Sequence, residues 1–305
     1  MPKRYKVLVT GSNGMLGVDL CAELDKAFDV YGADIVRGDG VRHFSQCDIT
    51  DKKSVTVVIE KIKPDIVVHT AAMTDVDGCE RDKDKAYNVN TAGAENVAKA
   101  CAAAGATMIH ISTDFVFDGT KKSGPYREDD EALPLSIYGD SKFKGEEAVI
   151  EGVKNYFILR TSWLYGKHGK NFVETIITKA SGEDVLQVVN DQVGSPTYTK
   201  DLAGAIRVVI DKISSQLTAH SSQGCGIYHV SNSGSVSWYE YAKEVLKLTG
   251  SETEVVPISS EKLNRPAKRP AMSVLDNSKF TRFTGHKMRN WKDALKEYIL
   301  EGRGK

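Results

Sequence analysis

Residues 6–17 read KVLVTGSNGMLG: an apolar run ending at Thr10, glycines at 11, 14 and 17, then the start of an amphipathic segment. The run has the length and composition of a strand buried on both faces. The glycines permit a tight turn, close approach of backbone N–H groups to a pyrophosphate, and close packing of the helix that follows. Their spacing is GxxGxxG, not GxGxxG, and a merely structural connection is the alternative.

Outward from this turn, short apolar runs alternate with segments of helical period. Candidate strands are 6–10, 30–33, 66–69, 108–112 and 157–160, and candidate helices are 16–26, 52–61, 86–104 and 141–151. Strand–helix alternation of this kind implies βαβ units, right-handed crossovers and a parallel sheet covered on both faces. The expected fold class is therefore α/β: a Rossmann-type doubly wound parallel sheet with a smaller, interleaved α/β substrate-binding lobe. The expected division is 1–165 for the dinucleotide-binding part, and 166–305 for a lobe interleaved with returning pieces of the main sheet. In that second part, helices are expected near 172–180, 237–250 and 291–300, strands at VLQVVND and GIYHVSN, and a surface loop across 213–226.

The chain has 305 residues, enough for a large core, and its 41 Lys+Arg balance 41 Asp+Glu. Such a chain has no global field to attract nucleic acid or an anionic membrane. No apolar stretch is long enough for a bilayer span or a secretory h-region. Its five cysteines are odd in number and scattered, without a CxxC pair, which speaks against a disulfide framework or a zinc site and fits a reducing cytoplasm. No catalytic metal is expected. A homodimer is allowed, but nothing in the sequence sets the oligomeric state.

YGDSK at 138–142 supplies a phenol and an ammonium spaced i, i+4, which a helix places on one face. A phenol titrates near ~10 and is a poor acid–base group at neutral pH unless its anion is stabilised. The Lys142 ammonium can do that and can also hold a ribose. Thr113, in HISTDFVF, ends the expected fourth strand at the carboxyl edge, where its hydroxyl can meet a substrate carbonyl. Asp34 ends the second strand, placed for ribose hydroxyls and so for NADH, whereas Arg37 suits a 2′-phosphate and so NADPH. Asp48 either touches an adenine edge or caps the helix from Lys52. Trp163, Asn171 and Phe172 can hold a nucleobase or sugar, or be core. Arg265 and Arg269 can clamp a diphosphate, or be a solvated turn.

In order, GSNGMLG, AAMTDVDGCE, NVNTAGAENVAKAC, STDFVFDGT, YGDSKFKGE, RTSWLYG, NDQVGSPT and RPAMSVLD resemble the extended short-chain dehydrogenase/reductases, and among them the dTDP-4-dehydrorhamnose reductases. The resemblance runs from about residue 5 to about 300. It implies a catalytic triad of Thr113, Tyr138 and Lys142, the last two also touching the cofactor. It implies a pyrophosphate turn at Gly11, Gly14 and Gly17 with Asn13, Met15 and Leu16, adenine contacts at Asp48 and Ile49, and cofactor contacts at Ala71, Ala72, Thr74 and Asn90. Thr74, Val76, Asp114, Phe115 and Trp163, with Asn171 and Arg269, are expected on the sugar-nucleotide side.

The implied reaction is NADPH- or NADH-dependent reduction of the C4 ketone of dTDP-4-dehydro-L-rhamnose to dTDP-L-rhamnose. The alternatives are a reductase or epimerase of another nucleotide-deoxysugar, and a non-catalytic regulatory subunit like the beta subunit of methionine adenosyltransferase. Two departures from the family pattern bear on the sugar. Asp75 and Gly78–Cys79 stand where Ala and Lys-Ala are more usual, which is expected to add a carboxylate near the sugar. Phe115 stands where Tyr is usual and removes a hydroxyl.

Overall fold

The computed structural model describes residues 4–38, 40–217 and 224–303. The first half of the chain lays down β1 (Lys6–Thr10), β2 (Asp29–Asp34), β3 (His43–Gln46), β4 (Ile66–His69), β5 (Thr107–Thr113) and β6 (Tyr156–Thr161). A further strand, Gly226–His229, returns to pair with β6, so the sheet runs β3-β2-β1-β4-β5-β6 and then that strand. Every pairing in it is parallel. This is the doubly wound sheet that the alternation of runs leads one to expect. The order of growth reverses between β1 and β4, where such sheets open a crevice at the carboxyl ends of their strands.

Burial explains the composition of these strands. β4 and β5 are buried along their whole length, as strands covered on both faces must be. One face packs against α1 (Met15–Leu24) and the Thr199–Leu217 helix, through side chains such as Leu20, Ile206 and Ile210. The other is covered by α2 (Lys52–Ile62) and the helices Gly93–Ala104 and Ile137–Gly152, through Val58, Val97 and Val149. A separate aromatic cluster gathers Tyr165, Tyr198, Tyr241, Trp291 and Tyr298. Around it lie the helices Phe172–Ala180, Trp238–Thr249 and Trp291–Arg303 and the paired strands Val185–Val189 and Glu254–Ile258.

Three local expectations change. The helix expected over 86–104 is broken: Lys83–Tyr87 leads into a π-helical turn at Asn88–Ala92 before the Gly93–Ala104 helix. The helix expected from 141 begins at Ile137, where Ser136 accepts from the Gly139 N–H as its N-cap, so Tyr138 and Lys142 share it. The loop expected across 213–226 is in part helix. Ile213 extends the apolar stripe of Leu202, Ile206, Val209 and Ile210 into the core, and that burial outweighs the serines beside it. Residues 218–223 lie outside the described residues, and Gly226 already opens the seventh strand.

Between the Ile137–Gly152 helix and β6 lies an ion pair removed from water. The side chains of Glu146 and Arg160 are 1% and 3% exposed. Arg160 Nε and Nη2 donate to Glu146 Oε1 and Oε2 at 2.9 and 2.7 Å, and Ser112 Oγ also donates to the carboxylate. Breaking such a pair from one side leaves a buried charge without compensation. Arg160→Met should therefore destabilise the protein by about 3–5 kcal/mol. Thermal melts should show the double variant Glu146→Gln/Arg160→Met recovering most of that loss.

Candidate active site

The crevice at the carboxyl edge of β1, β4 and β5 is a cavity of about 950 Å³. Its floor is the turn after β1. Gly11 has φ +73°, and a Cβ there would meet the backbone nitrogen of Ala71 at 2.6 Å, so only glycine lets β1 and β4 approach this closely. At Gly17 a Cβ would lie 2.1 Å from the Gly11 carbonyl oxygen. α1 starts at Gly14 with no side-chain cap and no acidic residue in its first turn. Its first N–H groups and the positive end of its dipole are left for an anion, a fit to a dinucleotide pyrophosphate. Asn13, Met15 and Leu16 share that wall.

Asp34, at the end of β2, lines the cavity and accepts from the N–H groups of Asn13 at 3.0 Å and Ile35 at 2.8 Å. Arg37 is exposed and lies outside the wall. Asp48 and Ile49 line the same end. Asp48 accepts from both the N–H and the hydroxyl of Thr50, and the cap of α2 is Asp51, which accepts from Lys53. Of the two roles open to Asp48 in the sequence, helix capping is thus taken by another residue.

Ala71, Ala72, Thr74 and Val76 form the wall after β4. Asn90 stands behind that segment and not in the wall. Its amide accepts from Met73 N–H at 2.8 Å, donates to the Met73 carbonyl at 3.1 Å, and reaches Ser141 Oγ at 3.0 Å. Asn90 thus clasps the post-β4 chain to the Ile137–Gly152 helix, and the π-helical turn is the distortion that aims it inward.

Thr113, Asp114, Phe115, Tyr138 and Lys142 all line the cavity. Burial raises the Tyr138 phenol above its ordinary value, a hydrogen bond with Thr113 opposes this, and the nearby Asp114 carboxyl adds to it. The phenol therefore holds its proton. Burial likewise raises the carboxyl of Asp114 to about 7. Phe115 packs edge-on to Tyr138, ring centroids 5.5 Å apart. Lys142 is 3% exposed and donates to the Ile111 carbonyl at 2.7 Å, and its Nζ lies 3.3 Å from His110 Nε2. Burial lowers this ammonium to about 8, while Glu146 pulls it upward.

Trp163 and Arg269 also line the cavity. Trp163 has φ +48° and stacks on Trp238, another wall residue, at a centroid distance of 3.4 Å. Arg269 donates to the Ala267 carbonyl and to Asp77 Oδ2, each at 2.9 Å. Arg265 is more exposed, 3.6 Å from the same carboxylate, and outside the wall. Asn171 is outside it too: it caps the Phe172–Ala180 helix by accepting from Glu174 and donates to the Gly166 carbonyl. Trp238 and Lys170, which the motifs did not mark, do line the cavity.

Asp75 does not bring a carboxylate to the sugar end. It caps the short Val76–Arg81 helix, accepting from Gly78 N–H at 2.9 Å, and pairs with Arg81 at the surface. A Cβ at residue 78 would lie 2.4 Å from its Oδ2, so the two departures, Asp75 and Gly78, form one local solution. Among the described residues no group of three or more His, Cys, Asp and Glu could hold a metal ion, and no helix is long and apolar enough to cross a membrane.

A charge buried for function should cost stability. Between pH ~8 and ~10.5 the unfolded chain holds a proton on Lys142 that the folded chain releases, so stability rises with pH across that window. Below it the full cost is present. Lys142→Met should therefore have a higher Tm than the natural chain at pH 7, and the difference should shrink toward pH 10.

Residues 5–303 match the family model described as the RmlD substrate binding domain. The spore coat polysaccharide biosynthesis protein SpsK of Bacillus subtilis is 44% identical over 296 residues, 97% of each chain. The crystal structure of a dTDP-4-dehydrorhamnose reductase from Clostridium acetobutylicum superposes with a TM-score of 0.88 at 41% identity, covering 98% of this chain and 99% of that one. That of dTDP-4-dehydrorhamnose reductase from Bacillus anthracis, in complex with NADP, gives 0.86 at 38% identity, covering 98% and 100%.

Proposed function

The chain belongs to the RmlD substrate-binding-domain family, that of the dTDP-4-dehydrorhamnose reductases, and from that premise we propose that it reduces the C4 ketone of dTDP-4-dehydro-L-rhamnose to dTDP-L-rhamnose. The observation that carries this reading is the meeting of Thr113, Tyr138 and Lys142 in one cavity with an uncapped, glycine-rich helix start. The glycine turn and α1 would hold the pyrophosphate of NADH or NADPH, Asp34 the adenosine ribose, and Lys142 the ribose on the nicotinamide side. Bound there, the reduced nicotinamide supplies the hydride that reaches C4.

The protein's own work is on the oxygen of that carbonyl. Thr113 donates a hydrogen bond that fixes the carbonyl against Tyr138. As C4 becomes tetrahedral the oxygen gains charge, and the Tyr138 phenol, kept protonated by its burial, gives up its proton to it. The Lys142 ammonium favours the phenolate left behind. One hydride and one proton are thereby added to the ketone, giving the secondary alcohol. At the far end Arg269 binds the diphosphate of the sugar nucleotide and Trp163 covers the sugar or base. In this reading residues from 166 onward supply most of the sugar-nucleotide lobe.

With substrate made in situ by the preceding epimerase, the protein should oxidise NADH or NADPH at a rate set by enzyme concentration. Tyr138→Phe should lower kcat by about 10²–10⁴ and leave dinucleotide binding in place. A phenylalanine variant with most of the natural kcat would contradict the assignment. Asp34→Ala should raise KM for NADH by about tenfold, the loss expected for one charge-assisted hydrogen bond, and raise that for NADPH less. Steady-state titration of each cofactor reads this directly.

A further inference from the structure

One register row across β1, β4 and β5 is polar. Thr10 is register partner of His69, and His69 of His110, so the three side chains cross three neighbouring strands beside the valines and isoleucines of β1, β4 and β5. All three are buried: Thr10 3%, His69 1% and His110 0% exposed. Polar groups are costly at such positions unless their hydrogen bonds are made. The two rings stack at 5.2 Å, and Thr10 Oγ1 lies 2.7 Å from His69 Nδ1. At the other end of the row, His110 Nε2 faces the Lys142 ammonium at 3.3 Å. His110 Nδ1 has no hydrogen-bond partner among the described residues, so the side-chain bonding of this ring is directed at Lys142.

We propose that His110, backed by His69 and Thr10, is a positioning residue for Lys142: its Nε2 accepts one ammonium hydrogen, the Ile111 carbonyl accepts a second, and the third is thereby aimed into the cavity. This rests on the reductase reading above for its function, though not for its geometry. An ammonium carries three donors and no acceptor, so two fixed acceptors leave one direction for a ligand hydroxyl. A lysine on a flexible stem becomes a group of one orientation.

Burial keeps both imidazoles neutral, His69 at about 3 and His110 well below the ordinary histidine range, and opposite an ammonium, which can only donate, the proposal requires Nε2 to be the accepting nitrogen and Nδ1 to carry the hydrogen. The other charged groups nearby do not replace it. Glu146, on the same helix, attracts the ammonium but is held by Arg160 from β6. Asp114, at the end of β5, has its carboxyl raised by burial, and Tyr138 stays a phenol. Removing His110 thus removes an acceptor that favours the charged lysine, and its titration should move downward.

The test uses the whole protein labelled with carbon-13 at lysine Cε, the Lys142 signal being assigned by its loss in Lys142→Met. In His110→Leu the Lys142 titration should fall by about one pH unit, and in His110→Gln, whose amide oxygen reaches the place of Nε2, it should stay within about 0.3 unit of the natural chain. Should His110→Leu not fold, His110→Asn takes its place, since its shorter amide cannot reach and must show the larger shift. In turnover, His110→Leu should lose about tenfold or more in kcat with KM for the sugar nucleotide within about twofold, and His110→Gln should recover most of it. Unchanged Lys142 titration in the leucine or asparagine variant, or a glutamine variant shifted as far, overturns the proposal. The titration needs no sugar nucleotide, so absence of turnover in the natural chain would count against the reductase reading alone.

Discussion

A lysine side chain lies almost wholly out of water beneath the carboxyl edge of the sheet, and the elements around it are arranged to keep it charged. Lys142 receives one acceptor from the backbone of β5 and one from an imidazole of the same strand. The carboxylate one helical turn further along, Glu146, is neutralised by Arg160 from the next strand. The helix that carries the lysine is anchored in turn through Ser141 to Asn90, and through Asn90 to the chain after β4. Catalytic geometry and core packing are therefore one construction here. What burial costs in the stability of that cation it returns as an ammonium whose position is set before any ligand arrives.

The frame was legible because burial leaves a strong trace. β1 and β4 are nearly unbroken apolar runs, and only strands covered on both faces read that way. The glycine turn was legible because Gly11 and Gly17 stand where a Cβ would strike backbone. The π-helical turn was not, since an asparagine within a helical pattern has no periodicity of its own. Nor was Trp238: an amphipathic helix predicts an apolar first residue, not that its ring will lie flat on Trp163. His110 was hidden for a related reason. A histidine in an apolar strand looks like a core residue until the register puts His69 and Thr10 beside it and Lys142 above.

Of the two departures from the family pattern, the structure separates a local one from one that touches the chemistry. Asp75 belongs to a helix cap, accepting from the Gly78 N–H, and its carboxylate faces solvent and Arg81. Phe115 packs against the ring of Tyr138 inside the cavity. It brings no hydroxyl to a wall that Thr113, Asp114, Trp163 and Trp238 also line. Asn171 and Arg37 show the converse: both looked like ligand contacts, yet one caps a helix and the other lies outside the cavity wall.

The central claim is that this cavity directs a hydride to C4 of the sugar and a proton to its oxygen. The most direct measurement follows the hydrogen itself. The protein would be supplied with dTDP-4-dehydro-L-rhamnose and a nicotinamide cofactor deuterated on the transferring face, and the product examined by NMR. The expected product is dTDP-L-rhamnose with deuterium at C4 and nowhere else on the ring. Deuterium at another carbon, a product of the opposite configuration at C4, or unlabelled sugar would contradict it.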